Sequence, residues 1–131
     1  MSQENVELAR AIHEAWARGD FGARTELLAE DFTWDQHADA VEAGSRRGAA
    51  VGHSLRRIFE VYEDYRITPD EFIDAGDHVV VVATARGTAR ASRMELDQSF
   101  AFMWTVQRGL LVRLQVFTDP HEALEAAGLS E

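Results

Sequence analysis

The segment 99–117 constrains the fold most, because it has the pattern of two antiparallel strands joined by a tight turn. Large apolar residues occupy every second position of its first half, which is the two-residue period of a strand with one buried face. Gln107-Arg108-Gly109 is typical of a hairpin, and the second half alternates again. The apolar positions are Phe100, Phe102, Trp104 and Val106, then Val112, Leu114 and Val116. This face needs an apolar partner elsewhere in the chain.

Helical periodicity supplies that partner in the first half of the chain. Residues 3–18 carry apolar side chains at three- and four-residue spacings, which predicts a first helix that ends at Gly19. Asp20 is a suitable N-cap for a second, shorter helix containing Phe21, Leu27 and Leu28. A third helix is predicted from a further apolar stripe, which should face the sheet. Its members are Val51, Leu55, Ile58, Phe59 and Tyr62.

Three more strands and a final helix complete the predicted elements. Residues 32–35 read as a short strand, followed by a loop over 36–48. Pro69 restricts its stretch to an edge strand or a turn. The turn 75–77 leads into a valine-rich strand, 78–85, and a further turn near 90–95 leads into the aromatic strand. Asp119-Pro120 predicts the N-terminus of a last helix, with Asp as the N-cap and Pro at its first position.

The composition excludes several classes of function. The 131 residues contain no Cys and no Lys, so they provide no thiol nucleophile, no Schiff-base lysine and no P-loop lysine. The net charge of −10 opposes generic binding to nucleic acid or to an anionic membrane. No apolar run is long enough to span a bilayer. We therefore expect a cytoplasmic protein without nucleic-acid or membrane partners.

Helices followed by strands predict one α+β domain over residues 1–131, with the helices on one face of an antiparallel sheet. A strongly twisted sheet around a long helix forms an open-ended cone, and such a mouth is a common place for a ligand pocket. We expect an apolar pocket between the third helix and the concave face of the sheet.

Four stretches carry a resemblance to a known family. The first is Ala17-Arg18-Gly19-Asp20-Phe21 together with 28–34. The second is Asp74-Ala75-Gly76-Asp77, which continues through 78–81. The third is 104–113, and the fourth is Asp119-Pro120-His121-Glu122, which continues through 123–129. In this order they resemble the nuclear-transport-factor-2-like superfamily and, within it, the SnoaL-like (polyketide-cyclase-like) branch. The resemblance implies the cystatin-like cone and a homodimer packed through the outer sheet face. The resemblance does not specify a reaction, because the fold occurs in enzymes of many activities and also in non-enzymatic binding proteins.

Two chemistries found on this fold do not match the chain. Ketosteroid-isomerase members use a Tyr and two Asp, and the corresponding positions here are Ile12, Gln36 and Phe102. Epoxide-hydrolase-like members use an Arg and an Asp at positions that fall on Ala83 and Ala85. Arg93 and Glu95 have the same Arg-x-acid spacing and would take these positions if the strand register differed. Epoxide-hydrolase-like chemistry therefore stays an open alternative.

The polyketide-cyclase-like members use an Asp near the last strand, and the resemblance places that role on Asp119. Proton transfer by a carboxyl group needs apolar walls that raise its pKa. The competing interpretation is that Asp119 only caps the last helix, where its charge is stabilised. His37 and Asp35, in the region of the predicted mouth, are further catalytic candidates, with ordinary solvated loop residues as the alternative.

The remaining predictions concern the ligand. We expect a small apolar molecule bearing a carbonyl group, with no cofactor and no metal, because the histidines lack metal-binding spacing. If the protein is an enzyme, its reaction would be a cofactor-free isomerisation, cyclisation or dehydration. The alternative is that it is a non-catalytic ligand-binding or structural homodimer. The expected substrate-binding residues are Trp16, Trp34, Tyr62, Phe102, Gln115 and Phe117. His13, beside the stripe of the first helix, is expected to be a boundary residue with its hydrogen bonds satisfied, and the alternative is that it lines the pocket.

Overall fold

The computed structural model describes residues 2–20, 24–36, 44–47 and 58–128. The first helix is α1 (Ser2–Ala17), and a short 3-10 helix follows at Thr25–Leu27. The strands are β1 (Leu28–Gln36), β2 (Gly44–Arg47), β3 (Tyr62–Ala75), β4 (His78–Ala89), β5 (Glu95–Gln107) and β6 (Leu110–Phe117). Residues 58–61 are helical and lead directly into β3. The last helix, α2, spans Pro120–Ala126.

The described strands form one curved sheet in the order β2-β1-β6-β5-β4-β3. β3 to β6 are joined by consecutive antiparallel pairings, as the hairpin patterns predict. β1 is the exception, because it runs parallel to β6 while pairing antiparallel with β2. The pairing of β3 shifts register next to Pro69, on an outer strand of the sheet, where a residue without an N–H is tolerated.

The sheet has two faces with separate apolar clusters. The inner face, which α1 covers, carries Val79, Val81, Phe102 and Trp104 together with Leu114 and Val116. The outer face carries Val80, Ala101 and Met103, and α2 packs there through Ala123. Successive strand residues point to opposite sides, so the run at 79–81 contributes to both clusters. This explains why that run lacks the alternation of a half-exposed strand.

Three contacts hold α1 along β3. Near its start, the Asn5 side-chain amide donates to the Gly76 carbonyl at 2.9 Å. In its middle, the Arg10 guanidinium lies 4.5 Å from the centroid of the Phe72 ring, a cation–π contact. At its end, Arg66 donates to the Ala17 carbonyl at 3.5 Å. The helix is therefore fixed at both ends over the inner face.

The predicted turn between β4 and β5 is confirmed, and its charged residues have partners. Arg93 pairs with Glu63 at 2.8 Å, and Arg90 pairs with the same carboxylate at 3.5 Å. Arg90 also donates through Nε to the Phe59 carbonyl at 3.1 Å. These arginines join the turn to the segment that enters β3, which agrees with a structural role at the surface.

The structure corrects four expectations. In place of the second helix, the described residues form the 3-10 turn, and Leu28 already belongs to β1. Of the third helix, 51–57 lie outside the described residues, and Tyr62 begins β3. The predicted loop 36–48 contains β2. The helices are not all on one face, since α2 packs on the outer one.

These differences share a physical cause. β2 is held by backbone pairing to Thr33–Gln36, which requires no alternation of side chains. α2 crosses to the outer face because Phe117 and Met103 leave apolar surface there that Ala123 covers. The helix that packs on the centre of the inner face is α1. None of the helices in the described ranges combines the length and apolarity needed to cross a membrane.

We predict that Gly76→Ala lowers the free energy of unfolding by about 1 kcal/mol, since Gly76 has φ +76° and a left-handed backbone strains an L-residue. No heavy atom lies within 4 Å of the position a Cβ would take, so the cost is purely conformational. Gly76→Asn is the matched control and should lose less, because Asn tolerates this region. Urea unfolding measures both; equal stability of Gly76→Ala and the wild type would contradict the assignment.

Candidate functional site

The centre of the inner face holds a histidine inside a shell of aromatic rings. His13, on α1, is 0% exposed. Its ring centroid lies 4.9 Å from that of Trp16, 5.5 Å from Phe102 and 5.6 Å from Trp104. Phe72 of β3 completes the shell at 6.1 Å. Helix and sheet therefore meet around an imidazole and not around an aliphatic side chain.

One nitrogen of His13 is engaged by the sheet. Trp104 Nε1 donates a hydrogen bond to His13 Nε2 at 2.8 Å. The other nitrogen, Nδ1, is buried and has no hydrogen-bond partner among the residues that the structure describes. A buried polar atom without a partner costs about 1–3 kcal/mol of desolvation. This atom is therefore a candidate contact for a ligand.

Burial also fixes the charge of this residue. It lowers the pKa of the His13 imidazole from 6.5 to about 3, because the aromatic shell disfavours the cation. At neutral pH His13 is thus uncharged and a weak base. It is suited to hydrogen bonding and poorly suited to accepting a proton.

A second buried polar atom lies on the same face. Trp34 is 6% exposed, and its Nε1 likewise has no partner within the described part of the chain. Trp34 pairs with Leu114, and Leu114 pairs with Trp104, so the three residues form one row across β1, β6 and β5. With strands about 4.8 Å apart, the Trp34 and Trp104 backbones are roughly 10 Å apart. Trp34 therefore lies on the same face as Trp104, two strands away.

The structure brings together three of the predicted binding residues. Trp16, Trp34 and Phe102 all belong to the inner-face cluster. Trp16 lies 5.6 Å from Trp104 and 6.1 Å from Phe102, between ring centroids. These residues form the aromatic part of the candidate site.

Tyr62 lies away from this shell, at the start of β3. Its ring stacks on Tyr65 with centroids 5.8 Å apart. Burial, followed by the neighbouring Tyr62, raises the pKa of the Tyr65 phenol to about 12. Phe59 packs on Tyr65 at 6.3 Å. This pair belongs to the entry of β3 and not to the surroundings of His13.

Gln115 and Phe117 are not brought together with Phe102. They alternate with Leu114 and Val116 on β6, and Phe117 packs against the outer-face cluster. The expectation that Phe117 walls the same pocket as Trp16, Trp34 and Phe102 is therefore wrong. The two-residue period of β6 places Phe117 on the opposite face of the sheet from Leu114 and Val116.

Asp119 is exposed and acts as the N-cap of α2. Its Oδ1 accepts a hydrogen bond from the His121 backbone N–H at 3.0 Å. The capping interpretation is thus confirmed, while the catalytic role stays a prediction. Asp35 lies in β1, where its backbone pairs with Ser45 and Gln115, and His37 lies outside the described residues.

The structure describes the surroundings of several positions that the other chemistries would use. Ile12, Ala83 and Ala85 are buried in the inner-face cluster. Arg93 and Glu95 are exposed at the turn between β4 and β5. Within the described ranges, no group of three His, Asp or Glu side chains is arranged to hold a metal ion.

His13 is the residue that the sequence interpretation misplaced, since it is fully buried and not at a boundary. Its position carried a signal that could have been used. Ala9, Ile12, His13 and Trp16 follow the i, i+3, i+4, i+7 pattern of one helix face, so His13 lies in the middle of the apolar stripe. The polarity of its side chain obscured that placement.

Comparison with known proteins identifies the fold and the family. The model of the SnoaL-like domain matches residues 9–114. A nuclear-transport-factor-2-like protein from Burkholderia thailandensis is 28% identical, with a TM-score of 0.78 over 94% of this chain and 95% of that one. No curated protein matches the chain.

Two more distant structures share the fold. TerC, co-crystallised with polyporic acid, is 22% identical with a TM-score of 0.76, covering 95% of this chain and 98% of that one. A putative SnoaL-like polyketide cyclase from Mesorhizobium loti is 17% identical with a TM-score of 0.70, covering 85% and 96%. At these identities the similarity establishes the architecture alone.

We predict that His13 makes the protein less stable as the pH falls from 6.5 towards 3. The unfolded imidazole takes up a proton in this range, whereas the folded one, with its pKa near 3, does not. The free energy of unfolding therefore falls by up to about 1.4 kcal/mol per pH unit from this group.

Urea unfolding across this pH range measures the effect. The slope should be smaller in His13→Gln, since glutamine does not titrate. His121→Gln is the matched control, because it makes the same substitution at an exposed position of α2. Identical slopes in the wild type and His13→Gln would contradict the buried neutral state.

Proposed function

Since the chain belongs to the SnoaL-like domain family, we propose that it binds a small, largely apolar molecule on the inner face of the sheet. The proposed contact surface is the row that Trp34, Leu114 and Trp104 form, beside the point where α1 packs on it through His13. The observation that carries this proposal is the pair of buried polar atoms, His13 Nδ1 and Trp34 Nε1, within an otherwise apolar cluster.

Aromatic side chains make this face suitable for an apolar ligand. Trp16, Trp34, Phe102 and Trp104 offer wide ring surfaces, and the contact of apolar area contributes about 25 cal/mol per Å². Sites of this kind combine hydrophobic walls with a few polar atoms that fix the ligand's orientation. TerC, which has the same fold, was co-crystallised with the small organic molecule polyporic acid, and this supports the same class of ligand here.

Binding without turnover is the function that the geometry supports best. A cofactor-free isomerase, cyclase or dehydratase would need a proton-transfer group next to the ligand. His13 is a weak base because of its low pKa. Asp119, the base that the family resemblance suggests, is exposed, and its side chain caps the N-terminus of α2.

A homodimer through the outer face of the sheet remains the expected assembly. α2 already covers Val80 and Met103, so a partner would pack on the remaining strip of that face. Alternation along β4 places Thr84 and Arg86 in this strip. Arg86 pairs there with Asp97 at 3.6 Å, and a partner's residues would meet this polar row.

We predict that bicyclic aromatic probes, namely indanone, indane, tetralone and tetralin, perturb the indole N–H signals of Trp34 and Trp104. Each of the three tryptophans gives one such signal, which a Trp→Phe variant assigns. The measurement is a heteronuclear NMR titration at millimolar probe concentration.

Phe117→Ala is the control, because Phe117 packs on the outer face and should leave binding unchanged. The proposal fails if no probe shifts the tryptophan signals, or if the shifts are confined to outer-face residues such as Thr105 and His78.

We predict that Asp119→Asn leaves ligand binding and stability close to those of the wild type. Asparagine is as good an N-cap as aspartate, so it keeps the bond to the His121 N–H. Asp119→Ala, the matched variant without a cap, should lose about 1 kcal/mol of unfolding free energy. Thermal shift with the same probes measures both. Any turnover of a probe that Asp119→Asn abolishes would restore the catalytic role of this carboxylate.

A further inference from the structure

The hydrogen bond at the centre of the inner face excludes a protonated His13. Trp104 Nε1 donates to His13 Nε2 at 2.8 Å, and an indole N–H donates but cannot accept. In an imidazolium both ring nitrogens carry a proton, so neither of them accepts a hydrogen bond. A proton on Nε2 would face the indole proton, and the bond between helix and sheet would be lost.

No described residue packed around His13 offsets a positive charge on it. The imidazole contacts the rings of Trp16 on α1, Phe72 on β3, and Phe102 and Trp104 on β5. The strands β1, β4 and β6 add aromatic and aliphatic residues to the same inner-face cluster. Among the residues that the structure describes, no other buried side chain is classed as polar or charged. A buried imidazolium would therefore have no carboxylate beside it.

The charged side chains near His13 on α1 do not neutralise it either. The Arg10 guanidinium is itself a cation, and it lies 4.5 Å from the centroid of the Phe72 ring. Glu14 is exposed, and consecutive residues of a helix point in different directions. A charged His13 is therefore stable only where water reaches it.

Water reaches His13 when α1 moves away from the sheet, because the packed residue is 0% exposed. The contacts of α1 with β3 use the Asn5 amide and the guanidinium groups of Arg10 and Arg66. None of these groups titrates near neutral pH. Of these four attachments, the one at His13 is the one that a proton removes.

The rest of the described fold is held together without α1. The strands β3 to β6 pair with one another along their backbones. On the outer face, Val80, Ala101 and Met103 pack with Ala123 of α2. Parts of a protein open with different free energies, so a helix that leaves a complete strand ladder and one packed face behind can open before the sheet does.

We propose that proton uptake by His13 releases α1 from the inner face as a unit, while the sheet and α2 stay folded. Trp104 is 0% exposed when α1 is in place, so the release uncovers the surface to which we assign the ligand. Acid thereby opens the inner face. As a control of ligand access the inference rests on the proposed function, whereas the movement of α1 does not.

Hydrogen exchange of the backbone amides under native conditions tests the movement without a ligand. The His13 imidazole has its ordinary pKa of 6.5 when α1 is released and a pKa of about 3 when it is packed. Below pH 6.5 the released state takes up a proton and the packed state does not. The ratio of released to packed molecules should therefore rise about 25-fold from pH 7 to pH 5. Protection of the amides in the middle of α1, corrected for the intrinsic exchange rate at each pH, should fall by that factor.

The sheet provides the internal reference. The central amides of β4 and β5 exchange when the whole domain unfolds, so those of α1 should be less protected, by about tenfold or more at each pH. Urea below the unfolding transition should accelerate exchange in β5 more steeply than in α1, because release of one helix exposes less surface than global unfolding.

Variants assign the titrating group. His13→Gln and His13→Leu do not titrate, and in both the 25-fold change in α1 protection should disappear. His121→Gln is the matched control and should keep that change, because α2 packs on the outer face and not on α1. The thermal transition of each variant confirms first that it is folded, and the comparison of α1 with β5 in the wild type needs no variant.

Three results would overturn the inference. Equal protection of the α1 and β5 amides means that α1 leaves only when the domain unfolds. Protection of α1 that is unchanged between pH 7 and pH 5 excludes release by proton uptake. A pH dependence that persists in both His13 variants assigns the release to another group. None of these results affects the proposed function, which fails when the aromatic probes do not bind the inner face.

Discussion

A hydrogen bond joins α1 to the centre of the sheet. Trp104 donates to His13, and the surrounding rings exclude water from the pair. Because the indole can only donate, this contact fixes the orientation, the tautomer and the charge of the imidazole together. The position of α1 and the polarity of the inner face both depend on this pairing.

The two faces of the sheet carry different kinds of side chain. The inner face gathers the large rings, and with them the buried polar atoms of His13 and Trp34. The outer face is covered by α2 through small residues such as Ala123, packed against Val80 and Met103. A chain of this size has one sheet, and the two-residue period of β4 and β5 lets each strand contribute side chains to both of its faces.

Buried polar atoms without hydrogen-bond partners lower the free energy of unfolding, and this is reasonable only at a site where a ligand can bond to them. Each costs about 1–3 kcal/mol in desolvation, a large fraction of the stability of a small domain. In the proposed function, the rings around them would provide dispersion contacts with the ligand. This combination separates the inner face from an ordinary core, in which aliphatic residues would fill the same positions.

The α+β class, the valine and aromatic strands, their hairpin and the cap at Asp119 were predictable from the sequence, since each depends on local periodicity or on turn and capping chemistry. β2, the parallel pairing of β1 and the crossing of α2 to the outer face were not, because backbone pairing between distant segments leaves no local pattern. For the site, the sequence identified Trp16, Trp34 and Phe102 as apolar walls. The tertiary structure alone decided that His13 is buried and bonded to Trp104 across 91 positions, because an imidazole's protonation and partners depend on its surroundings and not on its neighbours in the chain.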